Sequence, residues 1–261
     1  MSGFDWYDLP EYYDIVYDVD SEEEIDLLLR VAHEAGVEPE SILEPACGGG
    51  RLLRGFARRG FAVCGFDRNE RSVAYARERL EADDLEAAVF RAALDDFTIS
   101  KPCDLAHCTL STFKYMLDEA EVQRHLRCMA GAVRIGGIYI VGLHLVDTST
   151  DEVFVERWSG ARQDTRVGVR LSYDPPNLRR RREEVRLKLT VTLPQQQPQH
   201  YYSQWQWRSY DPAQLMALFE STPAWKFLRC YDFDGKERPL GDDRLDKLVV
   251  LRRINVAVGD T

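Results

Sequence analysis

The sequence predicts an α/β fold in which a mainly parallel sheet is covered by helices on both faces and a small antiparallel sheet follows its fifth strand. Apolar runs of strand length alternate with helical patterns between residues 41 and 145, which is typical of βα units. A glycine cluster joins the first strand to a helix. After residue 150, apolar and polar residues alternate strictly from Val185 to Leu193, as in a half-exposed strand. A chain of 261 residues can bury a core of this size.

The βα units are bounded by helix and turn signals. A helix with apolar residues at i, i+3 and i+4 spacing should begin at Ser21 and end at Gly36, and the helix after the glycine cluster should end at Gly60. Asn69 and Asp118 can cap the next two helices, because their side chains accept hydrogen bonds from free backbone N–H groups. The predicted strands of this part are residues 41–44, 61–66, 87–90, 103–108 and 138–145.

The remainder of the chain predicts a small antiparallel sheet and a return to the main sheet. Strands are expected at residues 166–173, 185–193 and 201–208, with proline-rich turns between them. Asp211 and Pro212 open a helix, and residues 227–233 and 247–252 can rejoin the main sheet. We therefore divide the chain into an α/β core with an N-terminal helical cap (1–150), an antiparallel insertion (151–210) and a C-terminal helix with strands that complete the core sheet (211–261).

Composition excludes several classes of protein. The formal net charge of −10 disfavours nucleic acid as a partner, because an acidic chain gains little from counterion release. Apolar runs stay well short of the roughly 20 residues of a membrane span, and the first twenty residues are acidic and aromatic where a signal peptide is basic and then apolar. The six cysteines form no Cys-x-x-Cys pair beside histidines, so neither zinc nor disulfides are expected. We expect a soluble, cytoplasmic protein without a metal.

The strongest local signal is the run from Leu43 to Gly50, followed about twenty residues later by Asp67. Glycines at a strand-to-helix turn let the backbone approach a ligand closely, and ligands of parallel sheets lie beyond the carboxyl ends of the strands. A carboxylate at the position of Asp67 can accept both hydroxyls of a ribose. Glu44, at the tip of the preceding strand, would repel a diphosphate but can orient an amino group. The pattern predicts a nucleoside site that favours a cationic ligand over NAD.

These residues resemble the first motif of the class I, Rossmann-like S-adenosylmethionine-dependent methyltransferases, commonly written Asp/Glu-x-x-Cys/Gly-Gly-x-Gly. Glu44, Cys47, Gly48 and Gly50 match this motif, and Ala46 stands where the first of the usual three glycines would be. The resemblance implies S-adenosyl-L-methionine as the cofactor. The positions that it implies for cofactor binding are Tyr13, Glu44, Ala46, Cys47, Gly48, Gly50, Asp67, Arg68, Leu94, Asp95 and Thr109.

Three further segments extend the resemblance. Residues 93–97 have the form of the family's adenine-binding phrase after the third strand, with Leu94 as the apolar residue, but Ala93 replaces its acid, so adenine recognition would rest on backbone atoms or on Asp95. Residues 108–113, with Thr109, match the segment beneath the methionine moiety. Residues 12–17 resemble the Tyr-Asp phrase of small-molecule N-methyltransferases of the glycine and amino-sugar type, in which Tyr13 would lie against the cofactor. The tyrosines could equally pack a helix onto the domain.

Candidate catalytic residues are fewer, because methyl transfer needs mainly alignment and exclusion of water. Tyr115 occupies the position at which related amino-sugar enzymes place a histidine, but a tyrosine with a pKa near 10 is a poor base at neutral pH. His144 should point to the same mouth from the end of the fifth strand, unless it is only a satisfied strand-end histidine. Trp205 and Trp207 share a face of the added sheet, where they either pack against the core or form an acceptor pocket or dimer contact.

The leading hypothesis is an enzyme that transfers a methyl group from S-adenosyl-L-methionine to nitrogen or oxygen of a small molecule. An Asn-Pro-Pro-Tyr phrase, which enzymes that methylate adenine or glutamine place after the fourth strand, is absent from the sequence. Two alternatives remain: a non-catalytic module that binds the same cofactor, and an NAD-dependent oxidoreductase. The expected partner is the small-molecule acceptor, and a homodimer is left open.

Overall fold

The computed structural model describes residues 5–17, 21–149 and 151–255, which form six α-helices, eleven strands and two short 3₁₀ helices. The helices are α1 (Pro10–Tyr17), α2 (Ser21–Glu34), α3 (Arg51–Arg58), α4 (Glu70–Ala82), α5 (Glu119–Ala132) and α6 (Pro212–Glu220). The 3₁₀ helices are Trp6–Asp8 and Thr112–Tyr115. The strands are β1 (Ser41–Pro45), β2 (Ala62–Asp67), β3 (Ala88–Arg91), β4 (Cys103–Cys108), β5 (Val133–His144), β6 (Phe154–Arg162), β7 (Thr165–Tyr173), β8 (Arg182–Thr192), β9 (Gln199–Arg208), β10 (Trp225–Tyr231) and β11 (Asp246–Arg253).

The main sheet has seven strands in the order β3-β2-β1-β4-β5-β11-β10. The first five strands of this order are parallel, whereas β11 is antiparallel to both β5 and β10. The strand order reverses between β1 and β4, and the carboxyl ends of strands at such a switch point open a crevice in which ligands bind. This arrangement confirms the predicted α/β fold and the return of the last two strands to the main sheet.

Most predicted helix starts are confirmed by their caps. The side chain of Asn69 accepts a hydrogen bond from the backbone N–H of Ser72 at the start of α4. Asp118 forms a capping box with Glu121 at the start of α5, and Asp211 forms one with Gln214 at the start of α6. These local signals depend only on neighbouring residues, which is why the sequence predicts them well.

Two strands differ most from the prediction, and the bounds of most others shift by one to three residues. Strand β5 begins at Val133 instead of residue 138 and runs through the glycine pair. The neighbouring strand lies close to Gly137, where a Cβ would be 2.7 Å from the carbonyl oxygen of Asp104. Strand β6 was not predicted at all. Its residues are mostly exposed and do not alternate clearly between apolar and polar, so it lacks the period that indicates a strand.

The second sheet is antiparallel, with the order β6-β7-β8-β9. The apolar face of β7 and β8 packs on α1 and Trp6, in a cluster that also includes Trp207. Helix α1 contacts both β6 and α4, so it connects this sheet to the core. As a result, the second sheet and α1 lie over the crevice. In the described ranges, helices are too short or too polar to cross a lipid bilayer.

Candidate cofactor and acceptor site

A cavity of about 1600 Å³ lies between the carboxyl ends of the main-sheet strands and the second sheet. Typical ligand pockets measure roughly 300–1000 Å³, so this cavity can hold two ligands side by side. It brings together all of the predicted site residues except Gly50. Those that line it are Tyr13, Glu44, Ala46, Cys47, Gly48, Asp67, Arg68, Leu94, Asp95, Thr109, Tyr115 and His144.

The turn after β1 has the left-handed backbone that its glycines suggest. Ala46 has φ of 53°, Gly48 of 53° and Gly50 of 73°, so the first of these positions tolerates a side chain at a cost of about 1–2 kcal/mol. Gly50 precedes α3 as its N-cap, and a Cβ there would meet the Cβ of Ala76 at 3.1 Å. Gly50 is therefore needed for the turn and for close packing on α4. It is not one of the described residues that line the cavity.

Glu44, at the end of β1, is a buried ionisable group beside the turn. Only 8% of the residue is exposed, and burial raises the pKa of its carboxyl group to about 8. Its Oε2 atom has no hydrogen-bond partner among the described residues. A buried carboxylate without a partner is costly, so this position favours a cationic ligand that would satisfy it.

Asp67, at the end of β2, is held rigidly by the backbone. Its Oδ2 accepts a hydrogen bond from the N–H of Gly48 at 3.0 Å, and its Oδ1 accepts one from the N–H of Asn69 at 2.8 Å. Burial raises the pKa of the carboxyl group, and the two N–H groups oppose that effect. Asp67 thereby ties the glycine turn to the neighbouring strand and presents an oriented carboxylate to the cavity.

The loop after β3 forms the next wall of the cavity. Asp95 pairs with Arg124 of α5, with Oδ2 and Nη2 2.7 Å apart, so one of its oxygens is already engaged. The carbonyl oxygen of Leu94 lies 2.7 Å from Nδ1 of His125, whose pKa burial lowers to about 4. Neutral His125 can donate this bond, which fixes the loop. Arg68 is exposed at the rim.

Two charged residues of this region were missed by sequence reasoning. The hydroxyl of Thr109 donates a hydrogen bond of 2.7 Å to Oε1 of Glu24, and Glu24 pairs with buried Arg51. Both charged residues line the cavity. Glu24 belongs to an acidic first turn of α2 that looks solvated in the sequence; the only signal for Arg51 was its place directly after the glycine turn.

Tyr13 and Tyr115 belong to an aromatic wall. Tyr13 stacks on Tyr17, with ring centroids 4.4 Å apart. The hydroxyl of Tyr115 lies 2.7 Å from that of Tyr7, and its ring stacks on Trp205 with centroids 6.0 Å apart. Burial raises the pKa of Tyr115 further above its ordinary value of 10, so it is not suited to act as a base.

His144 does point to the cavity, but both of its ring nitrogens are engaged. Nδ1 lies 3.1 Å from Oγ of Ser111, and Nε2 lies 2.5 Å from Nζ of Lys114 and 3.2 Å from Oε2 of Glu183. Burial and the charge of Lys114 lower the pKa of the imidazole. As a base, His144 would first have to break one of these contacts.

The ion pair beside His144 was not predicted. Lys114 is fully buried, and its Nζ donates a hydrogen bond of 2.8 Å to Oε2 of Glu183 and lies 5.0 Å from the ring centre of Trp207. Burial lowers the pKa of Lys114 to about 8, against the effect of Glu183. Burial alone would raise the pKa of Glu183, but its contacts with His144 and Lys114 hold it at about 2. The pair therefore stays ionised near neutral pH.

Part of the chain is similar to a known family of domains. Residues 42–137 match the family model of a methyltransferase domain. A curated relative from Geobacillus sp. (strain WCH70), whose name assigns it provisionally to the methyltransferases, is 25% identical over 129 residues, which are 45% of this chain and 52% of the relative. The chain thus spans about half the length of the curated relative that it matches.

Solved structures show the same fold over nearly the whole chain. A S-adenosylmethionine-dependent methyltransferase from Clostridium acetobutylicum ATCC 824 superimposes with a TM-score of 0.77 at 12% identity, covering 96% of this chain and 99% of that one. The sugar N-methyltransferase KedS8 from Streptoalloteichus sp ATCC 53650 gives 0.75 at 18% identity, with 98% and 95% covered. DesVI from Streptomyces venezuelae gives 0.74 at 17% identity, with 96% and 99% covered.

Residues 42–137 are therefore similar to a methyltransferase domain, and the chain has the Rossmann-like fold of the solved S-adenosylmethionine-dependent methyltransferases. This confirms the resemblance that the glycine turn indicated. Within that class, the structures that it resembles along its full length include a sugar N-methyltransferase.

Proposed function

We propose that the protein is an enzyme that transfers a methyl group from S-adenosyl-L-methionine to nitrogen or oxygen of a small molecule. The observation that carries this proposal is the buried Oε2 of Glu44, which lacks a partner in the described ranges and lies at the glycine turn of a methyltransferase domain. An ammonium group of the cofactor would satisfy it. NAD would instead bring a diphosphate toward this carboxylate.

The residues present fit this cofactor. Glu44 would hold the ammonium group and Asp67 the ribose hydroxyls, while Leu94 and Asp95 would border the adenine. When bound, S-adenosyl-L-methionine supplies a methyl carbon that is activated by a positively charged sulfur. Tyr13 and Thr109 would border its methionine portion. Both line the cavity, and Thr109 hydrogen-bonds to Glu24, which pairs with Arg51 directly after the glycine turn.

The chain contributes alignment and exclusion of water more than acid–base chemistry. Helix α1 and the second sheet lie over the crevice with aromatic side chains, which remove water from around the reacting atoms. We propose that Tyr115 and His144 position the acceptor, since the first is a poor base and the second has both nitrogens engaged. A substrate that needs no strong base fits this arrangement.

Calorimetry of the purified protein tests the proposal. We expect S-adenosyl-L-methionine and S-adenosylhomocysteine to bind at micromolar concentrations and NAD not to bind. Asp67→Ala should weaken binding of both by at least about tenfold, because it removes charge-assisted hydrogen bonds. Binding without methyl transfer to any of a broad set of acceptors would indicate a sensing module, and absence of binding would overturn the proposed function.

Cytoplasmic location and a homodimer remain proposals from the sequence. Cell fractionation tests the first, and sedimentation velocity of the purified protein tests the second.

A further inference from the structure

The cavity residues that follow β5 in the chain are acidic, although Arg30 of α2 also lines the cavity and donates a hydrogen bond to the carbonyl oxygen of Gly235. From residue 144 onward, the described residues that line the cavity include seven carboxylates and neither lysine nor arginine. Such a wall concentrates cations and repels phosphate. The carboxylates belong to Asp147, Glu152, Glu156, Asp174, Glu183, Asp234 and Asp246.

Not all of this charge is balanced by the protein. Asp174 pairs with Arg186, Glu183 with Lys114 and Asp234 with Lys236. Glu156 and Asp246, in contrast, have no ion-pair partner in the described part of the chain. Partial burial and the charge of Asp246 both raise the pKa of Glu156, so these two carboxylates are close enough to repel each other.

Aromatic rings and a free carboxylate oxygen complete this wall. Tyr173 stacks on His144, with ring centroids 5.1 Å apart, and on Phe154, with centroids 4.7 Å apart. Trp207 meets His144 edge to face. Glu183 is only 2% exposed, and its Oε1 has no hydrogen-bond partner among the described residues. Aromatic faces beside a buried carboxylate suit an organic cation.

We infer that the methyl acceptor is an amine that is protonated in solution and carries no phosphate group. The inference rests on the proposed function and adds the class of acceptor. Asp246 and Glu156 attract the ammonium ion, the rings of Tyr173 and Trp207 contact its carbon skeleton, and Oε1 of Glu183 accepts an N–H hydrogen bond.

The reaction needs the amine in its neutral form. The ammonium ion loses one proton to bulk water at the exposed end of the cavity, where Glu156 and Asp246 lie. Its nitrogen lone pair then forms the new nitrogen–carbon bond as the sulfur–methyl bond breaks, and the electron pair of that bond stays on sulfur. The methylated nitrogen carries the positive charge that sulfur had before.

Matched probes test this inference without turnover. Benzylamine, benzyl alcohol and benzyl phosphate have the same ring and differ in charge. We expect ligand-observed NMR on protein saturated with S-adenosylhomocysteine to show benzylamine binding at least about tenfold more tightly than benzyl alcohol, with benzyl phosphate the weakest. Raising the salt concentration should reduce this preference, since the cavity charge is partly screened.

Variants show whether the preference belongs to this wall. Glu156→Gln combined with Asp246→Asn should lower the affinity for benzylamine about tenfold and leave the affinities for benzyl alcohol and S-adenosylhomocysteine unchanged. Asp243→Asn, an exposed neighbour that does not line the cavity, is the control and should change none of them.

Two results would overturn the inference while leaving the proposed function intact: equal or tighter binding of the alcohol or phosphate probe to protein that binds S-adenosylhomocysteine, and methylation of alcohols in preference to amines. If S-adenosylhomocysteine itself does not bind, the proposed function fails instead. The two failures are therefore distinguishable.

Discussion

Replacing Glu44 by glutamine should remove a pH-dependent loss of stability from the free protein and weaken cofactor binding. Burial raises the pKa of this carboxyl group from its ordinary 4.5 to about 8. The folded protein therefore binds a proton here that the unfolded chain releases between these two values. In that window the free energy of unfolding falls as the pH rises, by about 1.4 kcal/mol for each pH unit.

The destabilisation caused by the raised pKa of Glu44 is largest at weakly basic pH. At pH 5 the raised pKa costs less than about 1 kcal/mol, and at pH 8 it costs roughly 4 kcal/mol. Glutamine cannot ionise, so it removes this pH dependence, although its buried amide can add a fixed cost of about 1–3 kcal/mol. The fixed cost cancels when the same variant is compared at two pH values. The difference between variant and wild type should thus shift by about 3 kcal/mol in favour of the variant between pH 5 and pH 8.

Differential scanning calorimetry at both pH values measures this shift. For a chain of this size, about 3 kcal/mol corresponds to a relative change in Tm of roughly 6–12 °C. Glu40→Gln, an exposed position just before the same strand, is the control and should show no such change. If the Tm difference between Glu44→Gln and wild type is the same at pH 5 and pH 8, the assignment of a raised pKa to Glu44 is wrong.

The remaining predictions concern the buried ion pair and the contact of α1 with the second sheet. Lys114→Met leaves Glu183 buried without its cation and should lower the free energy of unfolding in urea by about 3–5 kcal/mol. Adding Glu183→Gln to this variant should recover much of the lost stability. If Lys114→Met alone is as stable as wild type, this prediction is wrong. Gly160→Ala places a Cβ 2.0 Å from the carbonyl oxygen of Ile15, so it should increase proteolytic cleavage at α1 and weaken S-adenosylhomocysteine binding. Gly168→Ala, which meets nothing within 4 Å, should do neither.

The fold was predictable because its signals are local. Strand β4 has the bounds expected from the sequence, and Asn69 and Asp118 cap the helices that they were expected to cap. Strand β6 was missed for the opposite reason. Its position depends on pairing with β7 and on Gly160 passing close to α1, and neither contact leaves a periodic pattern in the sequence.

The two halves of the cavity were predictable to different degrees. The proposed cofactor residues follow from one turn and one strand end, so a motif brings Glu44 and Asp67 together without knowledge of the tertiary fold. Lys114 and Glu183 are 69 positions apart and meet only because β8 of the second sheet lies over the 3₁₀ helix after β4. A lysine in that helix looks solvated in the sequence, yet it is fully buried.

The contacts of both His144 ring nitrogens and the acidic lining of the cavity both favour an amine as the acceptor. If the proposed function and the inferred acceptor both hold, the protein binds two cations, one beside Glu44 and one beside Asp246. Two cations in one cavity repel each other, and carboxylates at both ends offset that repulsion. An amine needs to lose only the proton that it carries in water, whereas an alcohol must be deprotonated by a base near the reacting atom. A cavity in which Lys114 and Ser111 engage the only nearby imidazole of the described residues is therefore better suited to amines than to alcohols.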